Sequence, residues 1–174
     1  MKLVLNIKYV QYSIIHILLF IASCIVGLFV GQAEENIGHI SFLNKPFYEY
    51  FMHNVSTCIV LIGIGVVSYG CLTWLPLVYN GIVLGMAINF LSYSYSVQEI
   101  IKLFAHAIFE IPALMISIYL GKALAVAFKN CLLMIIKQKK LEIGNKKEFL
   151  KIILVFLVMI LFLFIASLIE AIPK

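Results

Sequence analysis

The amino-acid sequence predicts an all-α fold: an integral membrane helical bundle of about five transmembrane helices plus a short interfacial helix, in one domain spanning residues 1–174. Three observations predict it. First, 64% of the residues are hydrophobic and 12% are charged, against about 45–50% apolar and about a quarter charged in a soluble domain. Too little polar residue remains to coat a water-facing surface. Second, apolar runs of bilayer length recur along the chain. Third, the charges gather between those runs rather than within them.

Span one runs from about Gln11 to Val30, with His16 as its one titratable group from Ile14 onward. Lys2 and Lys8 precede it and Gly31-Gln32-Ala33 follows, an outline shared with signal peptides; a retained anchor is expected. The segment Gly31 to Met52 is polar, with Glu34, Glu35, Lys45 and Glu49, and its second half holds Pro46 and five aromatic residues. Rings of this kind favour the headgroup level, so a short interfacial helix is expected there.

Span two covers about Asn54 to Leu72 and span three about Leu75 to Leu91, with Thr73, Trp74 and Pro76 at the turn between them. That connector carries no charge. Either the two spans form a tight hairpin, or they are half-spans that dip in and return within surrounding protein. A loop from Ser92 to Glu99 leads to span four, Ile100 to Val126. The stretch Val126 to Ile136 is too short to cross alone and is expected along the interface. Five lysines between Lys137 and Lys147 follow, and span five runs from Ile152 to Ile169.

All 13 basic residues are lysine and all 8 acidic residues are glutamate. Nucleic-acid recognition leans on arginine and a basic face, so no nucleic-acid partner is expected. The lysines concentrated after residue 128 suit an anionic membrane surface. Their placement puts residues 1–10 and 128–151 in the cytoplasm. The N-terminus is then cytoplasmic, the C-terminus extracytoplasmic, and the loop after span one faces outward. Cys24, Cys58, Cys71 and Cys131 form no CxxC pair and read as small apolar residues rather than a disulfide framework.

The informative conflict lies in span four, where His106, Glu110 and Pro112 interrupt an apolar run. Ionisable groups at membrane depth are expensive and face a bundle interior, a cavity or a partner. With His106 at zero on a helical wheel, Lys102 falls near about −40°, Glu110 near +40°, Ala113 near −20°, Ser117 near +20° and Gly121 near +60°. One stripe thus holds the charged groups and then small residues that let another backbone approach. Pro112 lacks an N–H and its ring conflicts with the carbonyl of Ile108, so a kink is expected beside Glu110. Glu110 either carries its proton and donates a hydrogen bond or pairs with His106 or Lys102.

Three readings of this constellation stand side by side: interhelical polar glue, a partner-binding or conduction site, and a metal site. The last requires His53 to join His106 and Glu110 as ligands. On span three, Asn80 needs a hydrogen-bond partner and Gly81 and Gly85 form a GxxxG packing motif. His53-Asn54 at the start of span two reads as a helix cap or as part of the polar cluster. No phosphate loop of the GxxxxGK[ST] type occurs, which excludes an ATPase within this chain. There is no nucleophile elbow, HExxH or carboxylate dyad. Glu34-Glu35 resembles half of an intramembrane protease signature, but it lies outside the spans and has no matching arginine. No enzyme activity and no cofactor are expected.

The order His53-Asn54, Gly63, Gly70, Asn80-Gly81 with Gly85, His106, Glu110-x-Pro112-Ala113 and Gly121 resembles the stage II sporulation protein M family over roughly residues 50–125. The family often has Asn-Asn where this chain has His53-Asn54, and His-Gly where it has His106-Ala107. The resemblance implies a small, non-enzymatic, multi-span protein of the cell membrane that acts as a scaffold or partner subunit for other envelope proteins, in a homo- or hetero-oligomer. The sporulation member anchors wall-degrading partners at a septal membrane. Relatives beside ABC-type ATPases and in bacteriocin clusters imply the alternative, a transport, export or immunity subunit working with a separate ATPase. The polar cluster expected to matter is His106, Glu110, Asn80, Asn54 and His53, with Gly81, Gly85, Ala113, Ser117 and Gly121 as packing residues.

Overall fold

The computed structural model describes residues 7–30, 46–136 and 146–172. They form six helices: α1 (Ile7–Val30), α2 (Phe47–Val67), α3 (Trp74–Ser92), α4 (Val97–Leu103), α5 (Ala107–Ile136) and α6 (Lys146–Glu170). Four segments are long and apolar enough to cross a membrane: Phe47–Val67, Trp74–Ser92, Ala107–Leu133 and Phe149–Glu170. The apolar stretch of α1, Ile14–Val30, is shorter. Large apolar side chains such as Leu18, Phe29, Val60, Tyr79 and Leu161 point outward. In water that surface would be untenable; in lipid it is the solvated face, and helices satisfy their own backbone groups there. The chain is a membrane protein.

The helices sort into two bodies. In the first, α1 lies against α3. Small residues make this crossing possible: a Cβ on Gly85 would collide with the Cys24 carbonyl oxygen, and one on Gly27 with that of Ile82. A Cβ on Gly81 would come 2.8 Å from that of Ser23. Ser23 and Gly27 thus interlock with Gly81 and Gly85, small residues four apart on both helices. In the second body α2, α5 and α6 pack mutually around Cys58, Leu61, Leu114, Ile118, Met159 and Leu163. The stripe Ala113, Ser117, Gly121 and Ala125 is wholly buried in this body. At Gly121 a Cβ would stand 2.9 Å from the Ile62 carbonyl oxygen and 3.0 Å from the Cα of Gly65.

Several sequence expectations need correction. Span two begins earlier than Asn54, at Phe47. Two of the aromatic residues expected in a short interfacial helix belong to this span instead: Phe47 and Phe51 pack edge-on to Phe164 of α6, with ring centroids 5.1 and 6.0 Å apart. Whether a further short helix lies in residues 31–45 falls outside the described residues. Span four is not continuous from Ile100. A capping box of Ser96 and Glu99 starts α4 upstream, and the chain then passes through i→i+3 turns at residues 104–106 before α5 begins. The break therefore precedes Pro112, which sits inside α5. Residues 126–136 are not a separate interfacial piece but the continuation of α5, because Lys129 and Asn130 do not interrupt a helix. At 21 and 19 residues, α2 and α3 have the length of full crossings rather than half-spans.

A candidate cavity at the α4–α5 break

The turns at residues 104–106 place His106 at the mouth of α5 and Glu110 in its first turn. His106 Nε2 lies 3.7 Å from a Glu110 carboxylate oxygen, with the two side chains 13% and 30% exposed. Both line a half-open cavity of about 190 Å³. Its remaining walls come from α3 (Asn80, Val83, Leu84, Ala87), from Phe20 of α1, and from Phe104, Ile111 and Leu114. The cavity sits where the α1–α3 body meets α5, so tertiary packing, not a single helix face, brings Asn80 to the His106–Glu110 pair. The Asn80 amide Nδ2 donates to the Pro76 carbonyl at 2.8 Å. Asn80 keeps its carbonyl oxygen, an acceptor, and the second N–H of its amide. Glu170, at the end of α6, acts electrostatically on Glu110.

The other predicted members are dispersed. Lys102 lies exposed on α4, on the far side of the helix break from His106, so the expected single charged stripe is cut in two. His53 is exposed and, with α2 starting at Phe47, stands in the helix interior rather than at a cap. Asn54 is buried in α2, one turn before Cys58, and its Nδ2 has no hydrogen-bond partner among the described residues. Cys58 is within side-chain hydrogen-bond reach of Ser117 on α5, and the charge of Glu110 reaches it. Among the described residues, no group of three His, Cys, Asp or Glu side chains converges as metal ligands would. His53, His106 and Glu110 do not form the triad that the metal reading requires.

A second polar cluster escapes sequence reasoning. It joins α1 to the α2–α3 connector, where Tyr69 and Gly70 both adopt positive φ, 54° and 79°. The Tyr12 hydroxyl donates to the Gly70 carbonyl at 2.6 Å and lies 3.0 Å from the Thr73 hydroxyl. His16 Nδ1 lies 2.8 Å from the Tyr12 carbonyl, which only accepts, so Nδ1 carries the proton. Nε2 lies 3.1 Å from Thr73 Oγ1, whose hydroxyl donates to the Gly70 carbonyl at 3.0 Å. Lys122 of α5 caps the cluster, its Nζ 3.3 Å from the centre of the Tyr12 ring. The spacing Tyr12-x-x-x-His16 and a lone lysine within a span were the available signals. Nothing in the sequence ties them to Thr73, which reads as a turn residue.

The stage II sporulation protein M family profile matches residues 16–172. No curated protein and no solved structure gave a match.

Proposed function

Since the chain belongs to the stage II sporulation protein M family, we propose that it is a non-enzymatic membrane partner subunit whose working surface is the cavity between the α1–α3 body and α5. The observation that carries this reading is the cavity itself, which gathers His106, Glu110 and Asn80 at a helix break. At about 190 Å³ it is smaller than the roughly 300–1,000 Å³ of sites that enclose drug-sized ligands. That size suits a contact with a group on another envelope protein better than the passage of a large substrate. In this reading the N-terminus is cytoplasmic, the C-terminus extracytoplasmic, and the α4–α5 break faces outward, following the lysine distribution.

The test is assembly in the native host. The tagged full chain is cross-linked in its own membrane and purified alongside Glu110→Gln and Ala87→Phe, the second of which fills the cavity. Both variants are expected to lower the recovered complex about tenfold, equivalent to about 1.4 kcal/mol, with the detergent-solubilised fold intact. Recovery of the same complex at the same yield from both would refute the reading.

One observation favours the alternative of a transport subunit serving a separate ABC-type ATPase. Lys122 lies beside the α2–α3 connector, yet α5 continues to Ile136. This overhang offers a surface for a separate ATPase, although the lysines at 137–140 lie outside the described residues. ATPase stimulation by the purified chain, lost on truncating the overhang, would shift the assignment to this alternative.

A further inference from the structure

We propose that the cavity is a socket for one lysine side chain from a membrane-embedded segment of the partner. This rests on the partner-subunit reading above and adds the chemistry of what is held. Three polar side chains line the cavity, and beside the imidazole of His106 two of them bring acceptor oxygens. Glu110 contributes a carboxylate, and Asn80, whose amide nitrogen is engaged by the Pro76 carbonyl, contributes an oxygen. Glu170 adds negative charge nearby, and no lysine lines the cavity among the described residues. An acceptor-rich, acidic recess calls for a cationic donor.

The walls narrow the class further. Phe20, Val83, Leu84, Ala87, Ile111 and Leu114 are apolar, which matches the methylene stem of a lysine whose ammonium reaches Glu110. The volume, about 190 Å³, is that of about six waters at roughly 30 Å³ each, enough for one long side chain and too small for a helix. The three N–H donors of an ammonium are met by the oxygens of Glu110 and Asn80. An aminophospholipid also carries an ammonium, but it brings a phosphate beside it. That phosphate would meet the like charge of Glu110. A lysine within a membrane segment needs such a partner, since ionisable groups at that depth pair with one another. The socket and its occupant would thus each remove the other's cost.

The full chain, labelled and reconstituted in phosphatidylcholine bilayers, is titrated with a synthetic Leu/Ala transmembrane peptide. The peptide bears one lysine a turn or two from its end, or norleucine or glutamate at the same place. Energy transfer reports association. The lysine peptide is expected to associate about tenfold more tightly than the norleucine peptide. That preference should vanish with Glu110→Gln and with Ala87→Phe, and persist with Glu49→Gln, which changes an exposed acid outside the cavity. Should Glu110→Gln fail to fold, Ala87→Phe carries the test.

Equal association of all three peptides overturns the proposal. So does a lysine preference that survives both cavity variants. Loss of the preference on adding phosphatidylethanolamine would reassign the recess to a lipid headgroup. The two levels fail separately. If the host complex depends on Glu110 but lysine confers no advantage, the partner reading stands and the lysine socket falls. If no complex depends on the cavity, the partner reading falls with it.

Discussion

Among the described residues two polar clusters stand out, and they are built differently. Around Tyr12, His16, Gly70 and Thr73 the groups saturate one another. His16 and Thr73 are 5% and 0% exposed, each with partners within 3.1 Å. Around His106, Glu110 and Asn80 the groups line a cavity instead, and the approach of His106 to Glu110 is long, at 3.7 Å. Buried polar networks that are fully satisfied rigidify a structure. In the proposed function, the cluster with acceptors beside a recess is the one that meets a partner. The comparison teaches that the mere presence of His and Glu in a span does not distinguish glue from site; the saturation of their hydrogen bonds does.

The largest expected effect breaks the closed side at its foundation. Gly85→Val puts a Cβ onto the Cys24 backbone carbonyl, and backbone cannot yield as a side-chain tip can. Overpacking of this kind costs about 1–3 kcal/mol or more. Separation of α1 from α3 would also dissolve the Tyr12–Thr73 cluster. Loss of cooperative unfolding in detergent is the expected readout. By contrast, a Cβ at Gly63 would meet only open space, so Gly63→Ala should leave the transition unchanged.

How far this was legible in the sequence follows the same division. Hydropathy located α3 to within a residue at each end, since its flanks are turn residues. It missed the start of α2, because Phe47 and Phe51 look interfacial until Phe164 of α6 is known to lie against them. It missed the break at residues 104–106, because Leu-Phe-Ala-His-Ala contains no glycine or proline to announce one. The His106–Glu110 pair was visible as an i,i+4 spacing. That Asn80 shares their cavity while Asn54 and His53 do not is a matter of tertiary packing, and no spacing along the chain encodes it. Lys122 drew no attention as a lone cation in a span, yet it covers the ring of Tyr12.

A second comparison separates the clusters directly. Tyr12→Phe removes a hydroxyl that serves the Gly70 carbonyl and Thr73, and should cost about 1 kcal/mol, the usual worth of a polar contact between membrane helices. Glu110→Gln should change the same unfolding transition by less, while lowering assembly about tenfold. If Tyr12→Phe instead impaired assembly with stability unchanged, the roles of the two clusters would be exchanged.

Asn54 tests the boundary between them. It is buried in α2 and its Nδ2 lacks a partner among the described residues, a situation that costs about 1–3 kcal/mol. Asn54→Leu, close in volume, should therefore raise stability by about 1 kcal/mol, measured by the midpoint of denaturant unfolding. A destabilised Asn54→Leu would mean that the amide has work in the folded protein and belongs with the open cluster.

The smallest effect concerns the rim of the cavity. Phe104, which lines it, closes the C-terminal end of α4, and α4 is held at its other end by Ser96 and Glu99. The Glu99 carboxylate accepts from the Ser96 backbone N–H and hydroxyl, both at 2.8 Å, and these bonds hold its pKa below the ordinary carboxylate value of 4.5. A depressed folded-state pKa gives a contribution that is complete above 4.5 and disappears as pH falls through the lower folded value. Acidification below 4.5 should therefore speed amide exchange in residues 97–103 before it touches the connector at residues 68–73. Because acid also protonates other carboxylates, Glu99→Gln at neutral pH provides the control: it should loosen α4 alone, with protection at Thr73 unchanged. Equal loosening at both places would show that the two clusters are mechanically one, and would remove the distinction between glue and site on which the proposed function stands.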